Sequence, residues 1–157
     1  MKRMLLAAVA LAGCSLQQDV AAVEAAVAQF HERQAAREDV VIYNEADRAL
    51  RDANSLAEIQ NLNDEVRRVL PRCQTAVRDP ANWRMNTSTG AGYTVELGYT
   101  RQCADGRLIE SFTFRRTDGV WRLLTYNARG EPTAGQAGPA QQQRAPAQAP
   151  PAPDKPE

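Results

Sequence analysis

One glutamate has the setting of a residue that could do acid–base chemistry. Glu110 lies in a segment of alternating polar and apolar residues, and strand periodicity places it on the face of its large apolar neighbours. These neighbours are Leu108, Phe112 and Phe114. A carboxylate on such a face is costly unless it is paired, or it has a raised pKa suited to proton transfer. Glu110 is therefore the leading candidate for a pocket acid.

Two interpretations of Glu110 are open. In the catalytic one, a tyrosine hydroxyl from Tyr126, Tyr99 or Tyr93 serves as the hydrogen-bond donor. In the structural one, Glu110 forms an ion pair with an arginine of a neighbouring strand, such as Arg122, or lies at the edge of the sheet. We favour the structural interpretation and assign no catalytic residue, with Glu110 and Tyr126 as the candidates if there is one.

Other kinds of site find little support. His31 is the single histidine and lies far along the chain from Cys73 and Cys103, so neither a zinc site nor a Ser-His-Asp set is expected. Gly90 and Gly92 lie between predicted strands, without the helix that must follow a phosphate-binding loop. The formal charge is zero, from 19 Lys and Arg against 19 Asp and Glu, which disfavours nucleic acid. We expect no metal and no cofactor.

The large aromatic side chains have two possible roles. They could stack against a ligand, but they are also the main large residues available for a core, and we expect them to fill it. They are Trp83, Tyr93, Tyr99, Phe112, Phe114 and Trp121.

The first residues have the features of an export signal. Lys2 and Arg3 precede about ten apolar residues, a length typical of a signal peptide and too short to span a ~30 Å hydrocarbon core. This run ends in Leu11-Ala12-Gly13-Cys14, which resembles the bacterial lipobox. The resemblance implies diacylglycerol on the sulfur of Cys14 and cleavage before it, which leaves residues 1–13 as the signal peptide. An ordinary signal peptide with a chance cysteine is the alternative.

The lipobox resemblance also implies a location. Ser15 stands where an aspartate often marks retention in the inner membrane, so the outer membrane is favoured, with the domain facing the periplasm. Two or three acyl chains, as lipoproteins normally carry, hold a protein firmly on a bilayer.

Lipidation of Cys14 would leave Cys73 and Cys103 as an even pair. The periplasm is oxidising, so we expect a disulfide between them, worth roughly 3–4 kcal/mol in the chain-entropy model. Two unpaired thiols are the alternative.

Helical periodicity dominates the first half of the chain. Residues 14–19 are expected to form a lipidated tether. The predicted helices span 18–36, 39–52 and 56–70. The third has the clearest boundaries, since Ser55 and Glu58 form a capping-box sequence and Pro71 follows.

The periodicity then changes to two, which predicts strands. They span 82–88, 93–100, 108–116 and 120–127. Asp-Gly pairs at 105–106 and 118–119 predict tight hairpins. The sequence therefore predicts an α+β domain over 20–127, with three helices packed on one face of a four-stranded antiparallel meander. From Ala128 onward Gly, Pro, Ala and Gln dominate, which predicts a disordered tail over 128–157.

Six residues resemble a pattern in the cystatin-like, nuclear-transport-factor-like superfamily. They are Phe30, Tyr43, Glu110, Trp121, Leu123 and Tyr126. The resemblance covers about residues 20–127 and implies a sheet curled around a cone-shaped pocket. The superfamily includes ketosteroid isomerase, with an acidic base and a tyrosine, and many non-enzymatic modules, so it leaves the function open.

We therefore expect a membrane-tethered periplasmic module that binds an envelope component or a small apolar ligand. One alternative is a small pocket enzyme of the ketosteroid-isomerase type that uses Glu110 and a tyrosine. Another is an assembly role, in which the helical face or the tail docks a partner protein.

Overall fold

The computed structural model describes residues 10–87 and 92–132, with side chains from residue 16 onward. Within these residues, helices precede a single antiparallel sheet. The helices are α1 (Ala10–Ala35), α2 (Asp39–Glu45), α3 (Arg48–Ala53) and α4 (Leu56–Val69), followed by a short 3-10 helix, Leu70–Arg72. The strands are β1 (Val77–Asn86), β2 (Thr94–Cys103), β3 (Gly106–Thr117) and β4 (Val120–Pro132).

The sheet has the order β1-β2-β3-β4 with every neighbouring pair antiparallel. The predicted α+β class and the predicted meander are both confirmed. The turn between β3 and β4 shows why: Asp118 has φ 52° and Gly119 has φ 78°. Two consecutive residues with positive φ form the type of turn whose twist matches a hairpin, as the Asp-Gly pair predicts.

The predicted helix over 39–52 is wrong, because the chain breaks into α2 and α3 at Ala46 and Asp47. Ala46 is extended, and the backbone N–H of Asp47 donates to the carbonyl of Leu123 on β4, 2.8 Å away. The Asp47 carboxylate then accepts from the N–H of Ala49 and caps α3. The described residues thus contain four α-helices where three are predicted.

Helix α4 begins and ends where the sequence predicts. The side chain of Ser55 accepts from the N–H of Glu58, and the Glu58 carboxylate accepts from the N–H of Ser55, which completes the capping box. Pro71 lies in the 3-10 helix that follows.

The predicted tether over 14–19 is helical instead. Helix α1 runs through these residues, and it begins before the predicted start at residue 18. The Asp19 carboxylate accepts a hydrogen bond from the Tyr93 hydroxyl at 2.7 Å and forms an ion pair with Arg116 at 3.2 Å. These contacts hold this part of the helix against the sheet, which a polar composition alone does not reveal.

Two strand limits also differ from prediction. β1 begins at Val77, before an irregularity in its pairing between Arg78 and Trp83 that interrupts the alternation. β4 continues to Pro132, since residues 128–132 pair with residues 106–110 of β3, so a tail beginning at Ala128 is wrong. The remaining predicted tail, 133–157, and residues 1–9 of the predicted signal lie outside the described residues.

The core lies between α1 and the inner face of the sheet, with α2 and α3 closing one end. Its most buried members are large apolar side chains. They are Val23, Val27, Phe30, Ile42, Leu50, Val95, Leu97, Phe112, Phe114, Leu123 and Tyr126. Trp83 departs from the predicted core role, since 39% of it is exposed.

A disulfide joins Cys73, just after the 3-10 helix, to Cys103 at the end of β2. The predicted pairing of these two cysteines is confirmed. It ties the end of the helical layer to the sheet at the point where the chain passes from one to the other.

Candidate functional site

Glu110 lies on the inner face of β3, as strand periodicity predicts, and it is fully buried. It stands opposite Tyr99 on β2 and Ala128 on β4. A carboxylate in this position has lost its hydration and must find its hydrogen bonds within the protein.

Both oxygens of Glu110 have partners. Arg101 on β2 donates from Nε to Oε2 at 2.9 Å, and the Tyr126 hydroxyl on β4 donates to Oε1 at 3.0 Å. His31 on α1 places Nε2 3.2 Å from Oε1. We call these four residues the Glu110 cluster. Glu110 is therefore ion-paired, although its arginine is Arg101 and not the Arg122 suggested by the sequence.

The electrostatics of the cluster keep Glu110 ionised. Burial raises the pKa of Glu110, but the hydrogen bonds and charges of His31 and Arg101 outweigh it, so this pKa lies below its usual range. Burial, together with the charge of Glu110, raises the pKa of Tyr126, so its hydroxyl keeps the proton that it donates. A general base working near neutrality needs a raised carboxyl pKa, which is the opposite direction.

A chain of hydrogen bonds continues from the cluster into the helical layer. The Gln34 amide donates to the Tyr126 hydroxyl at 3.3 Å and to Asn63 Oδ1 at 2.9 Å. Asn63 in turn donates to Asp39 at 2.7 Å, and Asp39 is paired with Arg67 at 2.8 Å. A buried polar network of this kind fixes one arrangement of α1, α4 and the sheet.

The Asp39 carboxylate sets the direction of these bonds. Because Asp39 only accepts, Asn63 must turn its NH₂ toward it and its oxygen toward Gln34. Gln34 must then present its own NH₂, which leaves its Oε1 buried without a partner among the described residues.

A third buried carboxylate, Asp47, is likewise paired. Arg115 donates from Nε at 2.9 Å and from a terminal amino group, and Thr117 donates its hydroxyl at 3.3 Å. Burial raises the pKa of Asp47, but these bonds and the N–H of Ala49 outweigh it and the pKa is lowered. The Asp47–Arg115 ion pair lies at the break between α2 and α3.

A small cleft of about 60 Å³ lies between α1, α2 and β4. Its walls include Phe30, Phe114 and Trp121, with the Arg33–Glu45 ion pair at its edge. Its volume leaves room for only a few water molecules, and Glu110 does not line it. The cleft is therefore separate from the Glu110 cluster.

Of the sequence-based candidates, the structure brings Glu110 and Tyr126 together, whereas Tyr93 bonds to Asp19 at the other end of the sheet. The side chain of Cys14 lies outside those described. His31 and Arg101 are the cluster members that sequence reasoning missed.

No protein-family model matches the sequence, and no curated protein matches it significantly. Within the described residues, no helix combines the length and apolar character that crossing a membrane requires. The same residues contain no group of three potential metal ligands.

Proposed function

We propose that the chain is a lipid-anchored module of the bacterial cell envelope, facing the periplasm from the outer membrane, which acts by binding and not by catalysis. The observation that carries the choice between these two roles is the state of Glu110. Both of its oxygens have hydrogen-bond partners, it is fully buried and its pKa is lowered, so it is poorly suited to taking a proton from a substrate. The pocket-enzyme alternative is therefore disfavoured, because Glu110 was its candidate acid–base residue.

Export is supported by the cysteines. Disulfides persist in oxidising compartments and are rare in the bacterial cytosol, and the Cys73–Cys103 bridge is of the structural kind that links two layers of a small domain. Cys14 is then the one cysteine left over, and it stands at the end of Leu11-Ala12-Gly13-Cys14. The odd number of cysteines is thus accounted for by one lipid and one bridge.

The cystatin-like assignment is part of the proposal. It is supported by an antiparallel meander with helices on one face and by the inward position of Phe30, Glu110 and Tyr126. In this interpretation the Glu110 cluster fills the interior of the cone with a structural polar network.

Replacing Cys14 tests the anchor. Cys14→Ser removes the sulfur that accepts diacylglycerol, so we expect the protein to accumulate as an unprocessed precursor without lipid. Ser15→Ala is the matched control, and it should be processed and retained on membranes as the parent chain is. Metabolic labelling with a fatty acid and fractionation of cell membranes measure both. Equal fatty-acid labelling of the Cys14→Ser chain would contradict the proposal.

A further inference from the structure

The N-terminal part of α1 meets the β3–β4 hairpin at one end of the sheet. Asp19 on α1 accepts from the Tyr93 hydroxyl at 2.7 Å and pairs with Arg116, near the end of β3, at 3.2 Å. Trp121 on β4 packs against the Tyr93 ring with centroids 5.3 Å apart, and the Arg116 guanidinium lies 5.9 Å from the centre of the Trp121 ring. These contacts fix the beginning of the helix beside the hairpin.

Two exposed apolar side chains lie at the same end of the sheet. Val120 is the first residue of β4, directly after the turn, and 51% of it is exposed. Leu16 lies on α1 one turn before Asp19, on the same side of the helix, and 41% of it is exposed. We call this surface the hairpin end, and it comprises Leu16, Tyr93, Arg116, Val120 and Trp121.

The hairpin end lies close to the position of the proposed lipid. Helix α1 is continuous from Ala10 to Ala35, so the backbone of Cys14 precedes Asp19 within the same helix. At about 1.5 Å of rise per residue the two positions are about 7.5 Å apart along the helix axis, whereas an extended tether of this length could span about 17 Å. The headgroup region of a bilayer is about 5–8 Å thick on each side. A lipid on Cys14 would therefore hold the hairpin end at the membrane surface.

The side chains of the hairpin end are of kinds that favour a membrane interface. Tryptophan and tyrosine are enriched there, because each joins an apolar ring to a polar group. Arg116 pairs with Asp19, so this pair adds no net charge and calls for no anionic lipid. Asp118 in the turn is exposed and charged, which places the contact among the hydrated headgroups and not in the hydrocarbon core.

The opposite end of the sheet lies far from this surface. Gly106, at the start of β3, pairs with Cys103 of the disulfide. Along β3 it is about 34 Å from Arg116, at about 3.4 Å per residue. A contact between the hairpin end and the bilayer thus directs the disulfide end away from the membrane.

We propose that the hairpin end is a second membrane contact, through which the domain lies directly on the headgroups of the bilayer that carries its lipid. Leu16 and Val120 reach the boundary between headgroups and acyl chains, and the rings of Tyr93 and Trp121 lie at the level of the headgroups. This inference rests on the anchor proposed above and gives the anchored domain one orientation.

The fluorescence of the two tryptophans tests this orientation. Chain isolated from cell membranes is reconstituted in phosphatidylcholine vesicles whose headgroups carry a nitroxide quencher. Trp83→Phe leaves Trp121 as the reporter, and Trp121→Phe leaves Trp83. Trp83 stands opposite Leu97, which stands opposite Phe112, so it is about 14 Å farther along the sheet than the level of Arg116 and Trp121.

Trp121 should lose at least about half of its emission, since groups at a membrane interface lie within about 5–10 Å of the headgroup boundary. Trp83 should keep most of its emission. Equal quenching of the two tryptophans, or an unquenched Trp121, would overturn the proposal.

Val120→Glu, made in the Trp83→Phe chain, adds a charge to the contact and should lower the quenching of Trp121 at least about twofold. Val77→Glu is the matched control, because Val77 is 67% exposed and lies at the opposite end of the sheet, so quenching should not change. Circular dichroism checks folding, and if Trp83→Phe is unfolded the parent chain replaces it in the same comparison. Unchanged quenching in the folded Val120→Glu chain refutes the contact.

The anchor and the hairpin end fail separately in this experiment. Mass spectrometry of the same sample shows whether Cys14 carries lipid, and a lipidated chain with an unquenched Trp121 overturns the hairpin end alone. A chain isolated without lipid overturns the anchor. Its Cys14 thiol, the one outside the Cys73–Cys103 bridge, is then coupled to a maleimide lipid in the same vesicles, and the quenching of Trp121 decides the contact.

Discussion

At the scale of the residue, the proposed non-catalytic role depends on the contacts of Glu110. Periodicity puts the carboxylate inside, where side chains from three different elements lie within hydrogen-bond distance of it. The inward position could be predicted because it follows from alternation along one strand. The partners could not, because His31, Arg101 and Tyr126 are brought together only by the folding of α1, β2 and β4.

The position of His31 near the core could be predicted from helical spacing, but its contact with Glu110 could not. It lies four residues after Val27, which is on the buried stripe of α1, so its nearness to the core was visible in the spacing. What the spacing could not show is that a carboxylate 79 residues away would meet it.

Glu110→Gln should be strongly destabilising. It removes one charge of a buried pair and leaves Arg101 without its counterion, which costs about 3–5 kcal/mol of the free energy of unfolding. Glu131→Gln is the control, since its pair with Arg107 is more exposed and worth about 0–1 kcal/mol. Urea denaturation at pH 7 measures both.

The pH dependence of the same variants checks the cause. Because the pKa of Glu110 is lowered in the folded state, its contribution to stability is fully present above the ordinary value of 4.5 and is lost as the pH falls through the folded value. The difference in stability between the parent chain and Glu110→Gln should therefore shrink below about pH 4.5. A difference that grows on acidification, or that is absent at pH 7, would show that Glu110 is not held as an anion.

At the scale of the element, hydrogen bonds at a short connection determine where one helix ends and the next begins, which apolar periodicity cannot predict. The apolar spacing of Ile42, Ala46 and Leu50 continues across the break between α2 and α3, so the sequence gives no sign of it. The break exists because Asp47 forms two sets of bonds, one as the cap of α3 and one with Arg115 and Thr117 on β3. Helix α4, whose capping box is local, could be predicted correctly.

Substitutions of Asp47 should separate its two roles. Asp47→Asn keeps the cap and loses the ion pair, whereas Asp47→Ala loses both, so Ala should be the more destabilising by about 1 kcal/mol. Asp52→Ala is the control, because the Asp52–Arg48 pair is exposed and worth little. Thermal unfolding followed by circular dichroism measures these differences, and equal stability of the Asn and Ala variants would refute the capping role.

At the scale of the whole molecule, the disulfide and the buried polar network join the helices to the sheet at two different places. The bridge joins Cys73 to Cys103 at the junction between the two layers, and the network from Glu110 to Arg67 crosses the interior. The meander and the cysteine pairing were predictable, since hairpins are local and only one pairing remains once Cys14 is set aside. The end of β4 was not, because its last pairs involve Gly130 and Pro132, residues that normally indicate a loop.

The chemical state of the three cysteines tests the proposed anchor most directly. Intact-mass and peptide mass spectrometry of the protein isolated from cell membranes, with thiol alkylation before reduction, reads all three at once. We predict a chain that begins at Cys14 with diacylglycerol on its sulfur, and a Cys73–Cys103 bridge that leaves neither residue alkylated. A chain that retains Met1, or one with a free thiol at position 14, would contradict the proposed anchor and place.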